Sequence, residues 1–157
     1  MTTHPSSESS HRIVVGVDGS PSSRAALAWA VRQARLTGAT VEAVIAWEYR
    51  AGLAYPAPVP VPAPAPPEAD WAVPATEVLN RAIAAVPNEG AAVTINPTVT
   101  EGHAARVLLD ASKDADLLVV GNRGYGGFVE AVIGSVSQHC VHHATCPVVI
   151  VRDTATA

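Results

Sequence analysis

Lysine is almost absent from this chain: Lys113 is the single one among 157 residues. A Walker-type phosphate loop ends in Gly-Lys-Ser/Thr, so that chemistry is excluded. Any cationic help beside the chain's glycine loop must come from Arg123. Long apolar runs are missing too, with none near the roughly 18–20 residues that cross a bilayer. The polar stretch 1–11 lacks the apolar core of a signal peptide and is expected to be a disordered leader. Cysteine is scarce: Cys140 and Cys146 read as reduced thiols of a cytoplasmic protein. Basic residues are outnumbered ten to fourteen, with a net charge of −4, which argues against nucleic acid or an anionic membrane as partner. There is no internal repeat and no G-x-S-x-G elbow, and no nucleophile–base pair can be assembled, so catalysis is not expected.

What is present is an alternation of strands and helices. Residues 12–17 (RIVVGV) form a short apolar run suited to a strand buried on both faces. Ser20 is a natural N-cap and Pro21 suits a first helical turn, so a helix is expected from there to about Leu36, ended by Thr37-Gly38. A second strand spans 40–47. Seven prolines between Tyr55 and Pro67 can neither join a ladder nor continue a helix. The segment of about 50–73 reads as a proline-rich insert, a surface insertion in preference to a docking arm or lid. A helix is expected from about Pro74 to Val86, with Val78, Leu79, Ile83 and Val86 on its apolar side. A third strand follows at 92–100, placed at a sheet edge by Pro97. Then come a helix over 103–113, a strand over 116–120, a helix over 134–144 and a last strand, Val148 to Val151. The order predicts an α/β fold: a single-domain, open, parallel five-stranded sheet with helices on both faces, over residues 12–152, with a loose tail at 153–157.

The chemistry gathers where the fourth strand runs into Gly121-Asn122-Arg123-Gly124-Tyr125-Gly126-Gly127 and, beyond it, Gly134-Ser135-Val136-Ser137. Four glycines within seven residues let backbone N–H groups approach a ligand closely. A helix N-terminus at Gly134 adds free N–H donors and the positive end of a dipole. Ser135 and Ser137 offer hydroxyls. A tight strand-to-helix turn is the bland alternative. Two details favour a phosphate: the loop follows a β-branched strand directly, and two separate backbone pieces converge on one point. In open α/β sheets the ligand sits beyond the carboxyl ends of the strands, so Gly16-Val17-Asp18 after the first strand should face this loop. Asp18 suits a ribose hydroxyl, an adenine amine or a metal held with phosphates; as a structural charge it would only stabilise a helix start. His139, Cys140, His142, His143 and Cys146 cluster near the end of the last helix, but no second ligand pair is evident, so no protein-only metal site is expected.

The spacing Gly121-x2-Gly124-x9-Gly134-Ser135 resembles the nucleotide-binding motif of the universal stress protein family. The opening IVVGVDGSP, the loop GNRGYGGF, GSVS and the closing CPVVIVR are similar to that family as well. The resemblance implies a flavodoxin-like strand order, 3-2-1-4-5, with ATP binding and homodimers formed through the last strand. It places Gly16 and Asp18, with Val17 between them, near ribose and adenine. The backbone near Ala43 would line the adenine pocket. Val120, Gly121, Asn122, Arg123, Gly124, Tyr125 and Gly126 would wrap the phosphates and ribose, and Gly134, Ser135, Val136 and Ser137 would meet the terminal phosphates. Mg2+ would enter through those phosphates and Asp18. The expectation is a cytoplasmic, stress-responsive ATP-binding regulator with at most slow hydrolysis and an unknown downstream protein partner. Two alternatives stand beside it: a binder of cyclic AMP or another adenine nucleotide, and an ATP-dependent enzyme of related fold.

Overall fold

A computed structural model of the protein describes residues 10–48, 69–88, 90, 92–124 and 133–153. The proline-rich stretch, Tyr125 and Gly126 therefore lie outside the described residues, as do most of the leader and the tail. The elements alternate as expected: β1 (Arg12–Gly16), α1 (Pro21–Thr37), β2 (Thr40–Trp47), α2 (Ala69–Ala84), β3 (Ile95–Glu101), α3 (Ala104–Ala111), β4 (Leu117–Gly121), α4 (Ser135–His143) and β5 (Val148–Val151). The five strands form one parallel sheet in the order β3-β2-β1-β4-β5.

Strand alternation divides the core in two. Ile13, Val15, Val41, Ala43, Ile45 and Val119 point to one face, where Ala26, Leu27, Ala30, Val31 and Ala34 of α1 and Leu79 of α2 cover them. Val14, Val44, Leu118 and Val120 point to the other, covered by Val107 and Leu108 of α3 and Cys140 of α4. This period of two, read on both sides of the sheet, is why the central strands β1 and β4 are nearly continuous apolar runs.

The ends of α1 follow from local chemistry. The Ser20 hydroxyl accepts from the Ser23 N–H, and Gly38 closes the helix in the left-handed region at φ 73°. The second helix departs from expectation. It does not begin at Pro74 but runs from Ala69, with Pro74 inside it. Proline there removes only the bond to the carbonyl four residues earlier, and the flanking turns carry the helix through. Its apolar side is the expected one, with Val78, Leu79, Ile83 and Val86 packed on the sheet. The third strand starts at Ile95, not Ala92. Upstream, the Asn88 side-chain amide is bonded to both the N–H and the carbonyl of Val93, so that backbone is held by a side chain and not by a full ladder. Pro97 sits on an edge strand, where its missing N–H costs no ladder bond on the open side.

Candidate functional site

The sheet order reverses between β1 and β4, which pair directly in the register Ile13 with Leu117 and Val15 with Val119. Their outgoing loops must therefore part, and a cavity of about 470 Å³ opens between them at the carboxyl end of the sheet. That volume falls within the ordinary range for small-molecule sites. Gly16, Val17, Asp18, Val120, Gly121, Arg123, Gly124, Gly134, Ser135, Val136 and Ser137 all line it.

The glycines do different work. A Cβ on Gly121 would lie 2.7 Å from the Ser22 carbonyl carbon and 2.9 Å from the Ser23 nitrogen, so this glycine lets β4 pack against the start of α1. A Cβ on Gly124 would lie 2.7 Å from Oδ2 of Asp18, so that glycine brings the loop against the carboxylate. At Gly134 the nearest atoms would be 3.5 Å away, on Arg123 and Asn122. There a Cβ would meet only ordinary van der Waals contacts.

Backbone bonds join the pieces. The Gly134 N–H donates to the Asn122 carbonyl at 2.6 Å, and the Asn122 N–H donates to the Val151 carbonyl at 2.9 Å. Thus the loop after β4 is tied at once to β5 and to the start of α4. Gly134 is the N-cap of α4 and supplies no side chain to its first turn. The N–H groups of Ser135, Val136 and Ser137 have no acceptor within the helix, and these three residues border the cavity. The result is a short row of donors at the positive end of a helix dipole.

Ser137 is a supporting residue more than a hydroxyl donor to a ligand. It is buried and its hydroxyl donates to the Gly121 carbonyl at 2.5 Å. Asp18 is exposed, and its Oδ1 accepts from the Ser20 N–H at 2.9 Å. It precedes α1 as a turn-former and does not stand within the first helical turn, so the helix-start role is secondary.

Ala43 does not line the cavity. It is fully buried in the α1 face of the core, and Val44 and Ala46 take the place along β2 that was expected of it. A shift of one residue on a strand reverses the face. The signal for the correction lay in the strand itself, since Val44 belongs with the α3 side. Glu48 at the end of β2, Ser23 of α1, and Gly102, Ala104 and Leu108 around the start of α3 also line the cavity. None of these was singled out from the sequence. Glu101-Gly102, a glycine after a strand, was the available hint; Gly102 sits at φ 139° and turns the chain from β3 into α3.

The histidines at the end of α4 stand apart from the cavity. His139 and His143 have ring centroids 4.4 Å apart, and both are exposed. Among the described residues, no group of three or more His, Cys, Asp or Glu side chains is arranged to hold a metal ion. Cys140 faces inward, fully buried, and burial, followed by the charge of nearby Cys146, pushes its thiol up to about 11. Among the described residues no helix is long and apolar enough to cross a membrane.

The fold is that of a flavodoxin-like α/β protein with a cavity at its switch point. The model of the universal stress protein family matches residues 9–152, and the chain belongs to that family. A universal stress protein of Mycolicibacterium smegmatis is 35% identical over 148 residues, covering 93% of this chain and 49% of the relative. The chain thus spans about half the length of the curated relatives it matches. Among solved structures, a universal stress protein UspA from Lactobacillus plantarum superposes with a TM-score of 0.68 at 22% identity, covering 90% of this chain and 97% of the other. A universal stress protein solved in complex with cAMP has a TM-score of 0.62 at 26% identity, covering 92% and 98%.

Proposed function

We propose that the protein binds an adenine nucleotide at the carboxyl end of its sheet, with ATP as the ligand, and acts as a stress-responsive regulator. The observation that carries this reading is the convergence of two backbone segments on one cavity: Gly121 to Gly124 after β4, and the uncapped N-terminus of α4 at Ser135 to Ser137. Such donors suit phosphate oxygens, and space is kept for them at Gly134 by the lack of a Cβ. Arg123 adds the cation that the missing lysine cannot supply. On the other side Asp18 and Glu48 offer carboxylate acceptors, for ribose hydroxyls or an adenine amine, and Asp18 can share Mg2+ with the phosphates. Val44, Ala46 and Leu108 provide the apolar wall for a base. On this reading the protein holds nucleotide and at most hydrolyses it slowly.

The same reading makes β5 the dimer contact. Among the described residues it is an edge strand of the sheet, and its residues 148–151 are Val-Val-Ile-Val. The free thiols Cys140 and Cys146 suit a reducing cytoplasm. A downstream protein partner would read the loaded state.

Cyclic AMP is the second reading, favoured by the 26%-identical relative solved with that ligand. The test is to denature freshly purified protein, identify released nucleotide by mass spectrometry, and titrate ligand-free protein with ATP–Mg2+ and with cyclic AMP by calorimetry. Released ATP or selective ATP binding supports the first reading. Selective cyclic AMP binding replaces it with the second, and no adenine nucleotide binding at all refutes both.

A further inference from the structure

The loop that borders the cavity is held by a side chain that none of the phosphate-binding glycines supplies. Ser22, in the first turn of α1, is 4% exposed. Its hydroxyl donates to the carbonyl of Arg123 and accepts from the N–H of the same residue, at 3.3 Å for the latter. One hydroxyl therefore engages both polar groups of a single loop residue, 101 positions away in sequence. Ser20 adds a second bond to the Arg123 carbonyl at 3.3 Å. Gly121 makes the approach possible, because a Cβ there would stand 2.5 Å from the Ser22 oxygen.

We infer that Ser22 is a positioning residue for the phosphate-facing loop, fixing Arg123 and the following Gly124 so that their backbone meets the phosphate chain of the ligand. This rests on the nucleotide reading given above. The physical case is one of direction. The Arg123 N–H and carbonyl belong to the two rigid peptide units on either side of its φ and ψ angles, and bonding both to one fixed atom removes most of that freedom. The fixed atom is set by the capped start of α1, where the Ser23 N–H bonds Ser20 and the Ser23 hydroxyl donates to the Ser20 carbonyl at 3.0 Å. Loop order that exists before binding need not be supplied by the ligand. Ser22 touches no ligand in this account. It acts on the affinity for phosphates and not on recognition of the base.

That division sets the test. Ser22→Ala removes both contacts, while Ser22→Thr keeps the hydroxyl. Calorimetric titration of wild type and both variants with ATP–Mg2+ and with adenosine separates phosphate from base. The expected result is about a tenfold weaker ATP affinity for Ser22→Ala, adenosine affinity within twofold of wild type, and recovery of ATP affinity in Ser22→Thr. Amide hydrogen exchange on the ligand-free proteins should show faster exchange at 121–124 in Ser22→Ala alone. Equal losses for ATP and adenosine would mean a general structural role, and unchanged ATP affinity with unchanged exchange would remove the inference while leaving nucleotide binding intact. A wild type that binds ATP in neither assay would instead overturn the nucleotide reading, and this inference with it.

Discussion

The two ends of the sheet carry cavities of nearly equal size and opposite character. The one at the carboxyl ends measures about 470 Å³ and is bordered by glycine backbone, the start of α4 and the residues around Asp18. The one at the amino ends measures about 460 Å³ and is bordered by Ile13, Ala39, Leu117 and Pro147, with Gln33 and Thr37 from the last turns of α1 and with His11 and Asp116, whose Nδ1 and Oδ1 lie 3.4 Å apart. Volume does not distinguish them. Direction does. In a parallel βαβ arrangement helices begin at the carboxyl end of the sheet and finish at the amino end, so the upper cavity receives N–H donors and the lower one receives carbonyls. The helix ends thus favour an anion at the first and disfavour one at the second.

Substitutions at the two ends should separate them sharply. Gly121→Val is expected to have the largest effect, since its side chain would meet α1 backbone inside 3 Å. A loss of about 1–3 kcal/mol in urea denaturation should accompany the loss of nucleotide binding; normal stability would show that α1 yields easily. Gly134→Val should cost the fold only about 1 kcal/mol, the scale of a lost N-cap preference, yet weaken nucleotide affinity about 100-fold, the equivalent of losing a charge-assisted hydrogen bond. Retained affinity in calorimetry would place the phosphates elsewhere.

Smaller effects follow from titration. Because the folded state raises the Cys140 thiol to about 11 from an ordinary value near 8.5, its contribution is whole below about pH 8.5. It is lost as pH rises through the folded value. The melting temperature should therefore fall more steeply above pH 8.5 in wild type than in Cys140→Ala, and parallel curves would argue against burial of the thiol. At the amino end, a bond from the Arg12 N–H and then one from His11 hold the Asp116 carboxyl below the usual carboxylate range. That contribution is present above about pH 4 and disappears as pH falls through the lowered value. Asp116→Asn should flatten the acid limb of stability slightly and leave nucleotide affinity unchanged. A change in affinity would break the contrast between the two ends.

Much of this was legible in the residues. Ser20-Pro21 and Gly38 mark α1 because capping and left-handed closure are local events, settled within a few residues. Pro97 marked an edge strand for a local reason as well. Where the reading missed, local signals were not enough. Pro74 looked like a helix start because proline suits a first turn, whereas the helix begins a turn earlier, at Ala69. The backbone near Ala43 was assigned to the cavity; the Ala43 side chain packs under α1 in register with Val15, and its neighbours Val44 and Ala46 border the cavity.

The sequence by itself determined the alternation of strands and helices, the parallel sheet that follows from it, and the family, because periodicity, caps and the glycine spacing are written along the chain. Only the tertiary structure decided which residues share the cavity. Ser22 reaches Arg123 across 101 positions, Glu48 and Gly102 arrive from different loops, and the three motif glycines divide into one that admits α1, one that admits Asp18 and one that borders the cavity without a close neighbour. Those distinctions depend on distances between segments far apart in the chain, which chain closure and packing set together.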